Sequence, residues 1–398
     1  MKILSVNCGS STLKFRLYDM PSEEVLTKGS FERIGSSDSD YTIRVNGEKI
    51  YCKTRIHDHG DAASILLEEL IEKKIIQSLD EIAAVGHRIV HGGNKYSSST
   101  LITDRVISEL ESISDLAPLH NPAALIGIKT FKAQIPNAKM IACFDTAFHQ
   151  TIKEVDYLYP VPYEWYIKYD IRKYGFHGLS HQYVSLKMKE QLKKNHLNLI
   201  VCHIGNGASI SAIKDGICID TSMGFTPNAG IMMGTRCGDI DYSIIGYIME
   251  KTGMTYDEVD KILNKASGLE GITGMSDLRD IDRAYIAREN KVVLAMGMYS
   301  SRIADYIAKY YLRLNGKVDA ICFTAGGGEN DSIIRAEVLK KIAPLGVVLD
   351  ENRNKKAIVR QGIEGVITKK ESSIPCYVVA TDEELMIAKD TYEVMMAK

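Results

Sequence analysis

Two arginines, an aspartate and a histidine stand in polar clusters framed by apolar residues. Arg88 lies in GHRIVHGG, Asp145 in FDTAFH, His177 in KYGFHGLSH and Arg236 in MMGTRCGDID. Two guanidinium groups, an imidazole and a carboxylate are the set needed to clamp anions and neutralise a transferring phosphoryl group. Each also has an ordinary structural explanation. An Arg–Asp pair at a strand end is a common buried ion pair, and a lone His is more often a satisfied core group than a catalyst. Gly-rich turns shift that balance. NCGSSTLKF, HIGNGAS and FTAGGGEN can each aim backbone N–H groups at phosphate oxygens, and Gly9, Ser10 and Ser11 are small enough to let phosphate reach the main chain. One such turn is more often a plain hairpin than a cradle; three together argue for a nucleotide.

Other chemistries are closed by absence. The sequence holds no G-x-x-x-x-G-K-[ST], no H-R-D with D-F-G, no G-x-S-x-G and no H-E-x-x-H. Eight cysteines are scattered without C-x-x-C spacing, which excludes zinc and thioredoxin-like sites and fits a reducing cytoplasm. With 49 basic and 51 acidic residues, the formal charge of -2 provides no field to recruit nucleic acid or an anionic membrane. No apolar run nears the ~20 residues that span a bilayer. The start of the chain lacks a signal peptide's pattern, so a cytoplasmic enzyme is expected.

The elements that must hold these residues are those of an α/β protein. Strand patterns cover residues 3–6, 13–18, 42–45, 82–86, 139–144, 199–204, 209–213 and 320–324. Helical periodicity covers 61–76, 106–116, 122–131, 181–194, 242–252, 255–266 and 290–314. LSVNCGSSTLKFRLYDM and VCHIGNGASISAIKDG both run strand, Asn/Gly/Ser turn, alternating strand and second turn. That echo suggests a duplicated β-β-β-α unit. FTAGGGEN reads as a Gly-rich turn before a helix beginning near Ser332. The final segment reads as an amphipathic helix with Leu385, Ala388, Tyr392 and Met395 on one face and a Thr381/Glu384 capping box.

Taken in order, NCGSSTLKF, GHRIVHGG, LAPLHNP, FDTAFHQT, YGFHGLSH, HIGNGASI, DTSMGFTP, GTRCGDID, FTAGGGEN and DEELMIA resemble the acetokinase family along essentially the whole chain. The resemblance implies two ribonuclease-H-like domains of the actin-like ATPase superfamily with an interlobe cleft. Residues 1–148 plus 383–398 would form the N-terminal lobe, and 149–382 a second, nucleotide-binding and dimer-forming lobe. It implies a homodimer that reversibly phosphorylates acetate with ATP, giving acetyl phosphate and ADP, and that needs Mg²⁺, with Mn²⁺ as an alternative.

The same resemblance implies roles. Asp145, His177 and Arg236 would be catalytic, the last two stabilising equatorial phosphoryl oxygens. Arg88 would take the acetate carboxylate, and Val90, Leu119, Phe176 and Pro227 its methyl group. Lys14, His203, Ile204, Gly205, Asn206, Gly207, Asp277, Leu278, Arg279, Gly326, Gly327, Gly328, Glu329 and Asn330 would hold ATP. Asn7 and Glu383 would hold the metal.

Asp145 stands in the family as a proposed acid/base, but acetate, with a pKa near the ~4.3 of Glu, reaches the enzyme already ionised. Orientation of Arg88, Arg236 or Mg²⁺ is therefore the role expected for Asp145. The chain departs from the family at Gly327, where Ile is usual, and at Cys237, where Ser is usual. Asn228-Ala229 replaces Leu-Glu, and ATDEE replaces a Pro-Thr-Asn lead-in. Two rivals remain: a propionate or other short-chain carboxylate kinase, and an actin-like ATPase acting as a binding module.

Overall fold

The computed structural model describes residues 1–118 and 120–397, so Leu119, expected at the acyl methyl group, lies outside the described residues. The chain forms two compact units, Met1–Gln150 with Asp382–Lys398, and Thr151–Thr381.

Unit 1 is built on an eight-stranded sheet. Its strands are β1 (Lys2–Cys8), β2 (Leu13–Asp19), β3 (Glu24–Glu32), β4 (Asp40–Val45), β5 (Glu48–Lys53), β6 (Ile82–Ile89), β7 (Thr100–Leu101) and β8 (Lys139–Phe144), ordered 5-4-3-2-1-6-8-7. β1 is nearly all buried because helices cover both faces at the parallel centre, whereas β2 alternates with Lys14 exposed. The turn between them is closed by Gly9 N–H donating to Thr12 O at 2.8 Å, and buried His59 lies 2.8 Å from Gly9 O.

Unit 2 repeats the plan. β9 (Asn198–Ile204), β10 (Ala208–Lys214), β11 (Ile217–Thr221), β12 (Ala320–Thr324), β13 (Gly365–Val366) and β14 (Cys376–Val378) are ordered 11-10-9-12-14-13. In both sheets an antiparallel meander ends on a strand (β1, β9) that pairs in parallel with a later one (β6, β12). The internal echo is thus a duplicated sheet.

Two expected details differ. The Gly-rich stretch after β12 is a helix, Ala325–Asn330, entered through Ala325 at φ +63°. Missing side chains let it lie against the sheet: a Cβ at Gly328 would meet the Phe323 carbonyl carbon at 3.1 Å. The C-terminal helix, Glu383–Met396, is capped by Asp382, whose Oδ1 accepts from Leu385 N–H at 2.9 Å, in place of the Thr381/Glu384 box. Its buried residues are Met386, Ile387, Ala388 and Thr391, while Leu385, Tyr392 and Met395 are half-buried. The face is set by β6, where Gly86 admits the helix; a Cβ there would lie 2.6 Å from Ile387 Cγ2. Among the described residues, no helix is long and apolar enough to cross a membrane.

Candidate functional site

In unit 1 the chemistry gathers at one end of the central strands. Arg88 stands near the end of β6, Asn7 near the end of β1, and Lys14 directly opposite Asn7 on β2. Asp145 follows β8 and is fastened by its own N–H to Ile89 O at 2.9 Å. Glu383 opens the C-terminal helix, so a residue far along the chain reaches the cluster.

Arg88 is the hub. It donates through Nε to Asp145 Oδ1 at 3.0 Å and through Nη2 to Asp145 Oδ2 at 2.5 Å, a two-pronged grip. Nη1 donates to Asn7 Oδ1 at 3.2 Å and lies 3.5 Å from Glu383 Oε2. Burial opposes the guanidinium charge, but Asp145 and Glu383 outweigh it and hold the pKa above the ordinary arginine value. Burial also pushes the Glu383 carboxyl up, partly countered by Arg88. Val90 is half-buried two residues beyond Arg88.

Unit 2 carries the second cluster. His177 takes a left-handed conformation, φ +58°, just before the helix Gly178–Leu192. Its ring stacks on His203, centroids 4.1 Å apart and planes 20° apart, and its Nδ1 lies 2.9 Å from Ser209 Oγ. Arg236 donates from Nη1 to Pro227 O at 3.1 Å and to Met233 Sδ at 3.8 Å. Among the described residues it has no carboxylate partner, and burial lowers its pKa from the ordinary value. Gly207 lies against both groups. A Cβ there would be 3.3 Å from Arg236 Nη1 and 3.5 Å from His177 Cε1 and Nε2. Phe176, the neighbour of His177, is buried, and Pro227 is half-buried.

A cavity of about 570 Å³ in unit 2 is lined by eight of the expected nucleotide residues: Gly205, Asn206, Asp277, Leu278, Arg279, Gly326, Gly327 and Asn330. That volume suits a nucleotide-sized ligand. The rest of the expected set is placed elsewhere. Lys14 belongs to unit 1, His203 is stacked on His177, and Ile204 forms part of the wall behind Gly327. Gly328 packs on β12. Glu329 is held by the backbone: its Oε1 accepts from Ala325 N–H at 3.0 Å and Thr381 N–H at 2.9 Å. The carboxylate ties the Gly-rich helix to Thr381, the last residue of unit 2.

Gly327 has a local reason. A Cβ there would lie 2.6 Å from Leu278 Cδ1 and 3.2 Å from Ile204 Cγ2, so Leu278 fills the space a side chain at 327 would take. Asp277 caps the helix Leu278–Ile286 and pairs with Arg279, its Oδ1 2.9 Å from Arg279 Nε. Sequence reasoning missed Arg360, Tyr299, Asp282 and Asp331, which also line the cavity. Burial and the neighbouring Asp331 push the Asp282 carboxyl up to about 7. Asp331 itself caps the helix Ser332–Lys341, accepting from Ile333 and Ile334 N–H at 2.8 and 3.0 Å.

Against known proteins, residues 2–389 match the family model described as "Acetokinase family". The chain belongs to the acetokinase family. It is 54% identical over 392 residues to the acetate kinase of Anoxybacillus flavithermus, with 98% of each chain covered. Among solved structures it resembles a Porphyromonas gingivalis acetate kinase, at 42% identity, TM-score 0.91 and 99% coverage of both chains. It also resembles a Francisella tularensis propionate kinase, at 40% identity, TM-score 0.93 and 99% coverage of both. The fold is the α/β fold of this family, two ribonuclease-H-like units of the actin-like ATPase superfamily.

The implied metal can be tested against the donor set. Asn7 Oδ1 and the Glu383 carboxylate are hard oxygen donors gathered around Arg88, and two such ligands are what Mg²⁺ takes from a protein when water and phosphate fill its other positions. The residues fit.

Proposed function

We propose that the protein is an acetate kinase, transferring the terminal phosphoryl group of ATP to acetate and running in reverse with ADP and acetyl phosphate. The observation that carries this reading is the contrast between its two buried arginines. Arg88 is held by carboxylates, and Arg236 has none among the described residues.

Asp145 occupies Nε–H and one Nη2–H of Arg88 and so fixes the plane of the guanidinium. With one Nη1–H given to Asn7, the edge left for the acceptor is the second Nη2–H and the other Nη1–H, and a planar acetate carboxylate matches such an edge. Val90, half-buried two residues beyond Arg88, would meet the acceptor's methyl side. Acetate is ionised at neutral pH, so Asp145 has no proton to remove, and its part is to aim Arg88.

The nucleotide occupies the cavity lined by Gly205, Asn206, Gly326 and Gly327. As the phosphoryl group moves, charge spreads over its three equatorial oxygens. Arg236 and His177, both against Gly207, supply N–H donors to that charge. Asn7 and Glu383 would hold Mg²⁺, which neutralises polyphosphate charge when bound.

A homodimer is part of the proposal. The helix Ser243–Thr252 has no fully buried residue, and Ile244 and Tyr247 are 49% and 63% exposed. An apolar helix left bare is an interface waiting for a partner. A cytoplasmic setting is supported by eight free thiols, six of them buried.

Likeness to a propionate kinase favours propionate as the second acceptor to test. ADP release should be measured with acetate, propionate, glycerol or nothing added. Release that requires acetate supports the reading, and higher kcat/KM with propionate reassigns the acceptor. Turnover indifferent to any acid would make the protein an ATPase.

A further inference from the structure

We propose that Ser209 is the positioning residue for His177, fixing its imidazole tautomer so that the proton sits on Nε2. The inference rests on the reading of His177 as a donor to the phosphoryl oxygens.

Ser209 lies on β10, fully buried, and its Oγ is shared by two rings: 2.9 Å from His177 Nδ1 and 2.8 Å from His181 Nε2. A hydroxyl has one proton and two lone pairs, so it can donate to only one of the two. Three arrangements are therefore open for neutral rings. In one, His181 Nε2–H donates to Ser209, and Ser209 donates to His177 Nδ1. His177 then carries its proton on Nε2. In the other two, His177 Nδ1–H donates to Ser209, which either donates to His181 Nε2 or accepts from it as well, and His177 Nε2 presents a lone pair.

The role proposed for His177, together with its placement beside Arg236, decides between them. His177 Nε2 and Arg236 Nη1 lie against the same side of Gly207, as the Cβ distances above show. A phosphoryl oxygen shared by both groups is attracted to an Nε2–H and repelled by an Nε2 lone pair. With a neutral His177 ring, only the chain from His181 through Ser209 makes both groups donors.

The ring's orientation is fixed by a second set of contacts. Stacked on it, His203 has its Nδ1 2.8 Å from Ser180 Oγ, and that hydroxyl lies 2.8 Å from Thr381 Oγ1. Stacking from one side and the Ser209 hydrogen bond at the edge restrain the ring. His177 also holds a left-handed backbone conformation, and such strain persists only where surrounding contacts over-determine it. In serine proteases, losing the group that sets a histidine's tautomer lowers kcat by up to about 10⁴.

The test is a double-mutant cycle with a spectroscopic control. Ser209→Ala should lower kcat about tenfold or more while the acetate and ATP KM values stay within about twofold. In a His177→Ala background, Ser209→Ala should cost nothing further, because the ring it serves is gone. Ring ¹⁵N resonances of His177 in the unmutated protein should report protonated Nε2 and bare Nδ1. Unchanged kcat in Ser209→Ala, an equal loss in both backgrounds, or an Nδ1–H tautomer would each overturn the proposal. If His177→Ala alone leaves kcat intact, the parent reading of His177 is what fails.

Discussion

Arg88 and Arg236 are both largely buried, and both are expected to meet anions, yet their electrostatic company is opposite. In unit 1, Asp145 takes two of Arg88's N–H groups and Glu383 lies 3.5 Å from a third nitrogen. In unit 2, Arg236 donates only to a carbonyl and a thioether among the described residues. A guanidinium already neutralised gains little from a second charge, and what it offers is a rigid edge to align a carboxylate. A buried guanidinium without a counter-charge keeps its full field for whatever anion arrives. The first arrangement suits a ground-state acceptor, and the second suits charge that develops during transfer.

The largest effect should follow removal of Arg236. Arg236→Ala is expected to lower kcat by roughly 10²–10³, the usual loss for one preorganised donor to developing charge. Steady-state kinetics with both substrates saturating would check this. A preserved kcat would mean that the missing counter-charge has no catalytic meaning.

Asp145→Asn should come next, lowering activity about tenfold or more, since the two-pronged grip on Arg88 becomes a weaker neutral contact. The loss should be the same at every pH, because the acceptor arrives deprotonated. A pH limb in kcat that disappears only in the Asn variant would assign Asp145 proton transfer instead.

The smallest effect belongs to another acidic contact, in unit 2. Asp282, raised to about 7 by burial and Asp331, keeps a proton in the folded protein that an ordinary carboxyl with a value of 3.8 would lose. Across that window the folded form binds more protons than the unfolded, so stability falls as pH rises from about 4 to 7. Asp282→Asn should flatten this slope, read as urea midpoints at pH 5 and pH 8. An unchanged slope would remove the acid pair from the account.

The reach of sequence reasoning followed the physics of each element. β1, β2 and β6 were legible because period-two burial and apolar runs are written locally, and the duplicated meander was visible as a short echo. The Ala325–Asn330 helix was not, since three consecutive glycines signal a turn, and only close packing on β12 makes their lack of side chains a helix-contact device. Arg88 and Asp145 stood out as types, but their two-pronged pairing needed β6 and β8 side by side. Ser209 and His181 carried no signal, because a serine in an alternating strand looks like any other inward residue. For Glu329, the two backbone N–H groups that meet its Oε1 come from distant positions that sequence cannot bring together.

The central claim is that Arg88 serves the acceptor and Arg236 the transfer. Its most direct measurement is the acetate saturation curve of Arg88→Ala beside that of Arg236→Ala at saturating ATP. Arg88→Ala should raise the acetate KM at least as strongly as it lowers kcat, while Arg236→Ala should leave KM near its original value as kcat falls. The reverse pattern, with acetate KM rising in Arg236→Ala and holding in Arg88→Ala, would contradict the account.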